Sequence, residues 1–520
     1  MSRVPGFSRR GALGAFVVLA WLAGLGLLAR RELVRGPVER LAEAASRVNP
    51  GVVFYEVLQG EKHVGYASST IDTARSEIQV RDVFVADLTI GGGVHRASAQ
   101  SSVSLSRRLA LKSFELSFVS DSAPIRVTGT AEGDSVIVYT LSTGEGPGEP
   151  QRLRTGGPIL LPTLVPLAVA LGERPKVGSK LTVPVFDPTA MAPRNVEISI
   201  TAESLFTVSD SAQLDSTGGR WVVAKRDTVR AWKLATESRA VSAGWVDEQG
   251  RLVESAQAGG IVLRRTAYEL AFENWRIDRA NGAAVSSADG DVLETTAIAA
   301  SAKLSGGPKE RLRVQLKDVS LAGFDLSGGR QTLQSDVLTV QREGEAEMRA
   351  NWVLGNATIA RRFQKYLGSE PLLEVDSPTI RQAVKRILAG ESDPRRATEK
   401  INRWVHDSLE KRITVSVPSA LQVLKSRRGD CNEHTQLFLA LARAAGLPAR
   451  GAAGLAYLDG KFYYHAWPEV FLGAWVAVDP TFGQMPADAG HLRFVSGGFT
   501  RQTELLRLIG SLRIDVLDSR

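Results

Sequence analysis

Hydrophobic and polar residues alternate along most of the chain between residues 51 and 280, in short segments separated by glycine-rich turns. Alternation with a period of two is typical of a β-strand that buries one face. The clearest alternating or β-branched segments are 52–57, 64–71, 77–84, 101–105, 113–119, 125–130, 135–139, 180–186, 196–202, 221–223, 228–235, 240–247 and 261–264. We predict that residues 51–280 form one large antiparallel, half-barrel-like domain, because a sheet of so many strands must cover one face or curl on itself.

Two further stretches interrupt or extend this β pattern. Residues 158–171 are apolar but contain Pro162 and Pro166, so they predict either a hydrophobic plug or a helix that covers the sheet. Residues 281–360 hold a second β block, which predicts a small β-sandwich-like domain. Its clearest strands are 294–302, 311–319 and 336–342.

Helical periodicity begins only in the last third of the chain. Apolar residues recur at helical spacing from Ile380 to Leu388, and Asp393 followed by Pro394 is a typical start for the next helix. These helices are followed by an alternating segment that reads as a β-hairpin. We therefore predict an α+β domain over residues 361–520.

Cys431 is the one cysteine among the 520 residues. It follows a Gly-Asp turn and precedes an apolar periodic segment, Leu437 to Ala445, so it is predicted to lie at the N-terminus of a helix that Gly446 ends. Unpaired N–H groups and the positive end of the helix dipole at that position favour a thiolate. A lone cysteine can also be a small core residue, but this setting makes Cys431 a candidate nucleophile.

A nucleophile needs a base, and the base needs a residue that orients it. Residues 461–481 predict two strands joined by a tight turn. With a three-residue loop over 471–473, His465 lies directly opposite Asp479, with Cβ atoms about 4.5–5.5 Å apart. Asp479 then holds one imidazole nitrogen while the other faces Cys431. A two-residue loop would shift the register by one and weaken this arrangement.

Other residues near these motifs have weaker claims to a catalytic role. His434 is a rival base, but it lies three residues along the cysteine helix and is expected to point elsewhere. Glu433 suits the first turn of that helix, where a carboxylate matches the dipole. Trp467 and Trp475 are expected to be packing residues, with a wall of a substrate groove as the alternative.

The motifs Gly429-Asp430-Cys431, His465-Ala466-Trp467 and Val478-Asp479-Pro480-Thr481, in this order, resemble the transglutaminase-like superfamily, which includes bacterial cysteine proteases. The resemblance covers roughly residues 375–495. It implies Cys431 as nucleophile, His465 as general base and acid, and Asp479 as the residue that orients the imidazole. It also implies a papain-like fold in which the cysteine helix packs on an antiparallel sheet. The oxyanion hole would use the Cys431 N–H and one further donor.

The resemblance implies attack on an amide bond. Hydrolysis by a protease or amidase is favoured over protein crosslinking, because bacterial relatives of this kind are often hydrolases and no amine-binding pocket is marked in the sequence. We expect no cofactor and no metal, since the sequence has no acidic cluster like the calcium sites of animal transglutaminases and no nucleotide-binding loop. The spacing of His406, His434, His465 and His491 also matches no metal site.

The alternative is a catalytically inactive protein of the same fold. It would be a binding or cell-envelope scaffold protein whose β domain binds a lipid, a glycan or a peptide.

Residues Gly11–Ala29 carry no charge and are flanked by Arg9-Arg10 and Arg30-Arg31. At about 1.5 Å per residue this segment spans a hydrocarbon core of about 30 Å. We predict an uncleaved signal-anchor transmembrane helix within residues 1–35, followed by a helical stalk over 36–50. Arginines on both sides leave the orientation open, but a large β-rich body behind a short anchor favours a single-pass bacterial inner-membrane protein with its body in the periplasm.

The net charge is +8, and the basic residues are scattered along the chain. This pattern does not indicate nucleic-acid binding. The expected partners are a protein or peptide substrate, the membrane through the N-terminal helix, and a lipid or other envelope ligand of the β domain.

Overall fold

The computed structural model describes residues 48–520 except 75–76, 107–108, 121–123, 143–147, 172–174, 188–191, 216, 237–242, 258–259, 281–290, 305, 371, 415–418 and 498. Within the described residues, the first part of the chain folds into one antiparallel sheet of 14 strands. They are β1 (Gly51–Gln59), β2 (Lys62–Thr73), β3 (Glu77–Ile90), β4 (Gly93–Ser106), β5 (Leu111–Val119), β6 (Ile125–Glu132), β7 (Val136–Ser142), β8 (Gln151–Arg154), β9 (Lys180–Asp187), β10 (Ala192–Asp215), β11 (Arg220–Thr236), β12 (Gly244–Asp247), β13 (Leu252–Ala256) and β14 (Ile261–Thr266).

The strands of this sheet lie in two consecutive series. One runs from β8 at one edge to β1, which pairs with β14, and the other runs from β14 to β9 at the opposite edge. Strands β8 and β9 are therefore opposite edges. Even so, the ring of Phe186 on β9 lies 5.7 Å from that of Phe114 on β5 and 6.3 Å from that of Tyr139 on β7. The sheet is strongly curled, and the predicted large antiparallel β region is confirmed.

The apolar segment between β8 and β9 covers the concave side of the curl. It consists of a 3-10 turn, Pro162–Leu164, and helix α1, Val165–Leu171. Leu161, Leu164 and Leu167 are buried in the core that β3 to β7 build. Of the two alternatives from the sequence, the structure shows a helix that covers the sheet.

A helical connection leads from this sheet to the rest of the chain. It contains a π-helical turn at Glu269–Glu273, helix α2 (Asn274–Ala280) and helix α3 (Val292–Thr296). Asp291 caps α3, and its two carboxylate oxygens also accept the backbone N–H groups of Gly91 and Gly92 at the β3–β4 turn, at 2.9 and 2.6 Å. These bonds fix the tip of that hairpin to the connection.

The remaining part contains further helices and three smaller sheets among the described residues. The helices are α4 (Ala357–Arg362), α5 (Pro378–Leu388), α6 (Pro394–Ser408), α7 (Ala420–Ser426) and α8 (Cys431–Ala444), with 3-10 turns at Gln364–Tyr366 and Phe499–Leu508. The strands are β15 (Ile298–Ala299), β16 (Arg311–Lys317), β17 (Gln331–Gln334), β18 (Val337–Gln341), β19 (Glu410–Lys411), β20 (Arg428–Gly429), β21 (Ala449–Leu458), β22 (Lys461–Phe471), β23 (Trp475–Ala477), β24 (His491–Ser496) and β25 (Arg513–Ser519).

The C-terminal helices form where the sequence predicts them. Helix α6 begins as expected, because Asp393 Oδ1 accepts the backbone N–H of Arg396 at 2.8 Å. Helix α8 is buried along almost its whole length, with Leu437, Phe438 and Leu441 out of solvent, so it is the central helix of this part. It packs against α5, α6, α7 and the sheet ordered β15, β22, β21, β24. The predicted α+β arrangement is confirmed.

The second β block shares a core with this last part. Strand β16 lies between β18 and the C-terminal strand β25. One buried cluster joins Leu312 and Val340 of the block to Leu455, Phe494 and the C-terminal end. The boundary at residue 360 that the sequence suggested therefore divides residues that pack together.

The predicted signal-anchor helix and nearly all of the predicted stalk lie outside the described residues. Within residues 48–520 as described, no helix has the length and apolar character needed to cross a membrane.

Candidate active site

Cys431 is the first residue of helix α8, as the sequence predicts. Asp430 caps the helix by accepting the N–H of Asn432 at 2.8 Å, and Glu433 accepts the N–H of Asp430 at 2.9 Å. This reciprocal pair is a capping box. Gly429 is required before it, since a Cβ there would lie 2.3 Å from the Cβ of Glu433. The N–H of Cys431 is one of the first-turn N–H groups that have no partner within an α-helix.

His465 and Asp479 come from the hairpin β22–β23 and the turn after it. The register predicted from the sequence is wrong by two residues, because the loop is 472–474 and Val470 pairs with Val476. The N–H of Val478 donates to Pro468 O at 2.9 Å in the same register, which places Asp479 opposite Trp467, two residues along the strand from His465. A shift of two keeps both side chains on one face. They meet, with His465 Nε2 donating to Asp479 Oδ2 at 2.7 Å.

Asp479 is fully buried and holds four hydrogen bonds. Its Oδ1 accepts the backbone N–H groups of Thr481 and Phe482 at 2.7 and 3.0 Å. Its Oδ2 accepts His465 Nε2 and, at 2.9 Å, His491 Nε2. Although burial raises the pKa of Asp479, the two imidazoles outweigh it and hold that pKa well below its usual range. The carboxylate is ionised throughout the working range of pH.

His491 is the residue near the site to which the sequence gave no role. It begins β24, is 2% exposed, and its Nδ1 lies 3.1 Å from Asp488 Oδ1. Burial lowers the pKa of His491, but its hydrogen bonds to Asp479 and Asp488 prevail and raise the pKa to about 9. His491 is thus an imidazolium between two carboxylates. The only signal for it in the sequence is the Asp488–His491 spacing shortly after Asp479, which is too common to single it out.

The thiol of Cys431 lies in a different electrostatic setting from the one predicted. Burial raises its pKa, and the negative charges of Asp430, Glu433 and Asp479 raise it further. The backbone N–H of Ala466, the residue after His465, hydrogen-bonds to Cys431 and lowers the pKa, but burial and the charge of Asp430 have larger effects. The sequence suggested that the helix N-terminus would favour a thiolate, whereas nearby carboxylates and burial favour a neutral thiol.

Aromatic side chains hold the imidazole of His465 in place. Phe482 stacks on it with ring centroids 4.8 Å apart and an angle of 7° between the planes, and Phe482 is itself 38% exposed. Trp467 stacks from further away, at 6.1 Å. Trp475 instead packs with Phe363, Tyr366 and Phe471, away from the imidazole. Phe482 covers one face of the His465 imidazole, and the sequence pattern did not mark it.

His434 does not compete for the role of base. Its Nδ1 donates to the carbonyl oxygen of Asp430 at 2.6 Å, within its own helix. The side chain is buried, and burial lowers the pKa of its imidazole. His434 therefore supports the turn that carries Cys431.

One group of side chains has the composition of a metal site. Ligand atoms of His465, Asp479 and His491 lie within 4.8 Å of one another, and imidazole nitrogens and carboxylates bind zinc. Both Nε2 atoms, however, lie at hydrogen-bond distance from the same carboxylate oxygen. A metal would displace both protons and break both bonds, so the arrangement fits a hydrogen-bonded cluster.

Residues 381–480 match the core of the transglutaminase-like superfamily. An uncharacterized protein of Mycobacterium leprae is 26% identical over 177 residues, which are 31% of this chain and 62% of that protein. An uncharacterized protein of Haemophilus influenzae is 33% identical over 100 residues, which are 18% of this chain and 26% of that protein. The chain thus spans less than two thirds of the length of either relative. The crystal structure of a candidate cysteine protease from Cytophaga hutchinsonii aligns with 40% of this chain and 86% of its own, at 14% identity and a TM-score of 0.29.

Proposed function

Because residues 381–480 belong to the transglutaminase-like superfamily, we propose that this protein is a cysteine enzyme that cleaves amide bonds by acyl transfer. Cys431 is its nucleophile, His465 its general base and acid, and Asp479 the residue that orients His465. The observation that carries the proposal is the buried bond from His465 Nε2 to Asp479 Oδ2 beside a cysteine at a helix N-terminus.

The hydrogen bonds of His465 define which nitrogen takes part. Because Nε2 donates to Asp479, it carries the proton of the neutral ring and leaves Nδ1 as the acceptor. Nδ1 takes the thiol proton of Cys431 as the sulfur attacks the amide carbonyl carbon. The carbon–nitrogen bond then breaks as Nδ1–H protonates the leaving amine, and a thioester remains on Cys431.

Water completes the reaction in the proposed hydrolysis. His465 Nδ1 removes a proton from water, the resulting hydroxide attacks the thioester carbon, and the sulfur leaves and recovers a proton from the ring. The ionised Asp479 stabilises the imidazolium that exists in both steps. Water as acceptor requires no additional binding site, whereas transfer to a lysine amine does, and this supports a protease or amidase over a crosslinking enzyme.

The cellular setting is part of the same proposal. The uncharged segment 11–29 with arginines at both ends supports a single-pass anchor in the bacterial inner membrane. We place the body of the protein in the periplasm, where it would meet protein or peptide substrates of the envelope.

Acylation of Cys431 tests the proposal without knowledge of the substrate. The full-length chain is treated at pH 7 with p-nitrophenyl acetate, and acetylation of the Cys431 peptide is followed by mass spectrometry. We expect His465→Ala to reduce the rate by roughly 10²–10⁴ because the general base is lost. His63→Ala, in β2, is the control and should react as the wild type does. Equal rates in wild type and His465→Ala would overturn the assignment.

A second measurement separates hydrolysis from crosslinking. Casein is incubated with the enzyme and a dansylated alkylamine, and new N-termini and fluorescent protein are measured together. Hydrolysis predicts new N-termini that Cys431→Ala abolishes. Fluorescent casein without new N-termini would assign the protein to amine transfer instead.

A further inference from the structure

The curled sheet forms a cavity that has no part in the chemistry of Cys431. It measures about 580 Å³ and lies against the concave face of β1 to β6. The side chains that line it are in register across these strands: Tyr55 faces Ala67, Ala67 faces Phe84, and Phe84 faces Ala99. Most of the wall is therefore apolar, and its volume is that of a site for a small organic ligand.

The segment that covers the sheet lines one side of the cavity. Leu161, Leu164 and Leu167 form its roof, and the β12–β13 turn at Gly250 forms one side. Gly250 has a φ of +75°, and a Cβ there would lie 2.6 Å from the Cα of Leu167. The glycine thus lets the turn and the roof touch, so two separate segments of the chain pack together at this side of the cavity.

A polar stripe crosses this apolar wall. Ser69, Asp82 and Ser101 stand opposite one another on β2, β3 and β4, and all three line the cavity. Ser101 Oγ donates to Asp82 Oδ2 at 2.9 Å, and Ser69 also hydrogen-bonds to the carboxylate. A carboxylate has about four acceptor positions, so Asp82 retains the capacity to accept from a ligand.

Arg251 lies in the same wall as Asp82 and offsets its charge, and three of its five N–H donors are turned to the backbone. It is 5% exposed, and its guanidinium donates to the backbone carbonyls of Ser69 at 3.4 Å, Asn49 at 3.3 Å and Gly51 at 3.1 Å. The cavity thus has no net charge from this pair, and its polar groups are hydroxyls, the Asp82 carboxylate and the Arg251 N–H groups that the backbone does not use. It is suited to a ligand whose polar end donates a hydrogen bond and carries no charge.

We propose that this cavity binds the alkyl chain of a single-chain lipid with an uncharged, hydroxyl-bearing head, such as a monoacylglycerol. The alkyl chain of the lipid packs on the apolar wall beneath the roof of leucines, and the hydroxyl group of the head donates a hydrogen bond to Asp82. A fatty-acid carboxylate is disfavoured, because it would be desolvated beside Asp82, and the two carboxylates would have to share Arg251 as their cation. Lipid binding does not depend on Cys431, so it can be tested independently of the proposed enzyme activity.

Photocrosslinking on the full-length chain tests this site. The protein is placed in nanodiscs that contain a monoacylglycerol with a diazirine in its chain, and crosslinked peptides are identified by mass spectrometry. We expect crosslinks to β2–β6 and to residues 161–167, and competition by unlabelled 1-palmitoylglycerol. Crosslinks that fall elsewhere in the body of the protein, or that 1-palmitoylglycerol does not compete away, would overturn the site.

A matched pair of variants on β5 tests the cavity itself. Leu116→Trp fills the cavity, whereas Val119→Trp changes the opposite, 41% exposed face of the same strand. Labelling should fall about tenfold in Leu116→Trp and stay unchanged in Val119→Trp. The lipid's alkyl chain loses its contacts with the wall only where the introduced indole ring enters the cavity. Equal labelling in two folded variants contradicts the proposal, and the competition experiment on the wild type decides it if Leu116→Trp does not fold.

Asp82→Asn tests the head group. It keeps the size of the side chain but removes the charge, so palmitate should compete with the probe in this variant and not in the wild type. Competition by palmitate in the wild type, or stronger competition by hexadecylamine than by 1-palmitoylglycerol, would overturn the uncharged head.

Discussion

The carboxylate of Asp479 determines the geometry of the candidate site. Two backbone N–H groups fix its Oδ1, and two imidazoles share its Oδ2. Such a carboxylate cannot rotate without breaking several buried bonds, so His465 is held in one orientation and one tautomer. The thiol beside it has a raised pKa, which makes the fixed base essential to any reaction of Cys431.

Replacing Asp479 by Asn is expected to lower the acylation rate of Cys431 by roughly 10²–10⁴. The amide cannot stabilise the imidazolium, and it no longer selects the tautomer in which Nδ1 accepts the thiol proton. The rate is measured at pH 7 with p-nitrophenyl acetate. Asp376→Asn, an exposed carboxylate paired with Arg381, is the control. If Asp479→Asn reacts as fast as this control, His465 does not depend on Asp479.

His491 makes stability depend on pH in a defined direction. Its pKa is about 9 in the folded protein against an ordinary value of 6.5. A raised pKa gives stabilisation that is complete below pH 6.5 and is lost as the pH rises through 9, amounting to roughly 3 kcal/mol for this buried group. The difference in free energy of unfolding between the wild type and His491→Gln should therefore be larger at pH 6 than at pH 10, with the wild type the more stable. Urea titrations at both pH values measure this, and a constant difference would contradict it.

Among the secondary-structure elements, two strands, β22 and β24, supply the imidazoles that bind Asp479, and only the hairpin that contains β22 is visible in the sequence. The alternating pattern of residues 461–481 predicted that His465 and Asp479 share a face. That prediction is correct although the register was off by two, because a shift of two residues leaves a side chain on the same face of the sheet. His491 arrives on β24, which pairs with β21 and is separated from the hairpin by a long turn. No local pattern specifies such a pairing. The raised pKa of Cys431 was likewise hidden, since it depends on burial and on carboxylates brought together only by folding.

Gly454 on β21 controls how closely β24 approaches. It pairs with His465 on one side and Arg493 on the other, and a Cβ there would lie 2.0 Å from the carbonyl oxygen of Leu492. Gly454→Ala should therefore push β24 away, destabilise the protein by about 1–3 kcal/mol and weaken the bond between His491 and Asp479. Thermal unfolding and the pH dependence of stability both report the change. Gly368→Ala, where a Cβ meets nothing within 4 Å, should leave both unaltered.

At the scale of the whole molecule, the chain ends by completing a sheet that begins two hundred residues earlier. Strand β25 pairs with β16, so Ile514 lies opposite Leu316. The cluster that buries them also contains Leu492 and Phe494 of β24, the strand that carries His491. The second β block and the candidate site thus depend on one core. The curled sheet of β1 to β14 has its own clusters and its own cavity.

Ile514→Ala should therefore disturb the site from a distance. Removing this 2% exposed side chain leaves a cavity in the shared core and costs about 2–5 kcal/mol. Hydrogen exchange should show lost protection in β16, β24 and β25, whereas β1 to β7 keep theirs. Leu517→Ala on the same strand, where the side chain is 47% exposed, is the matched control and should change neither region. A core shared with β24 must transmit the loss to the strand that holds His491. Loss of protection confined to β16 and β25 would therefore contradict the prediction and mean that the second β block unfolds on its own.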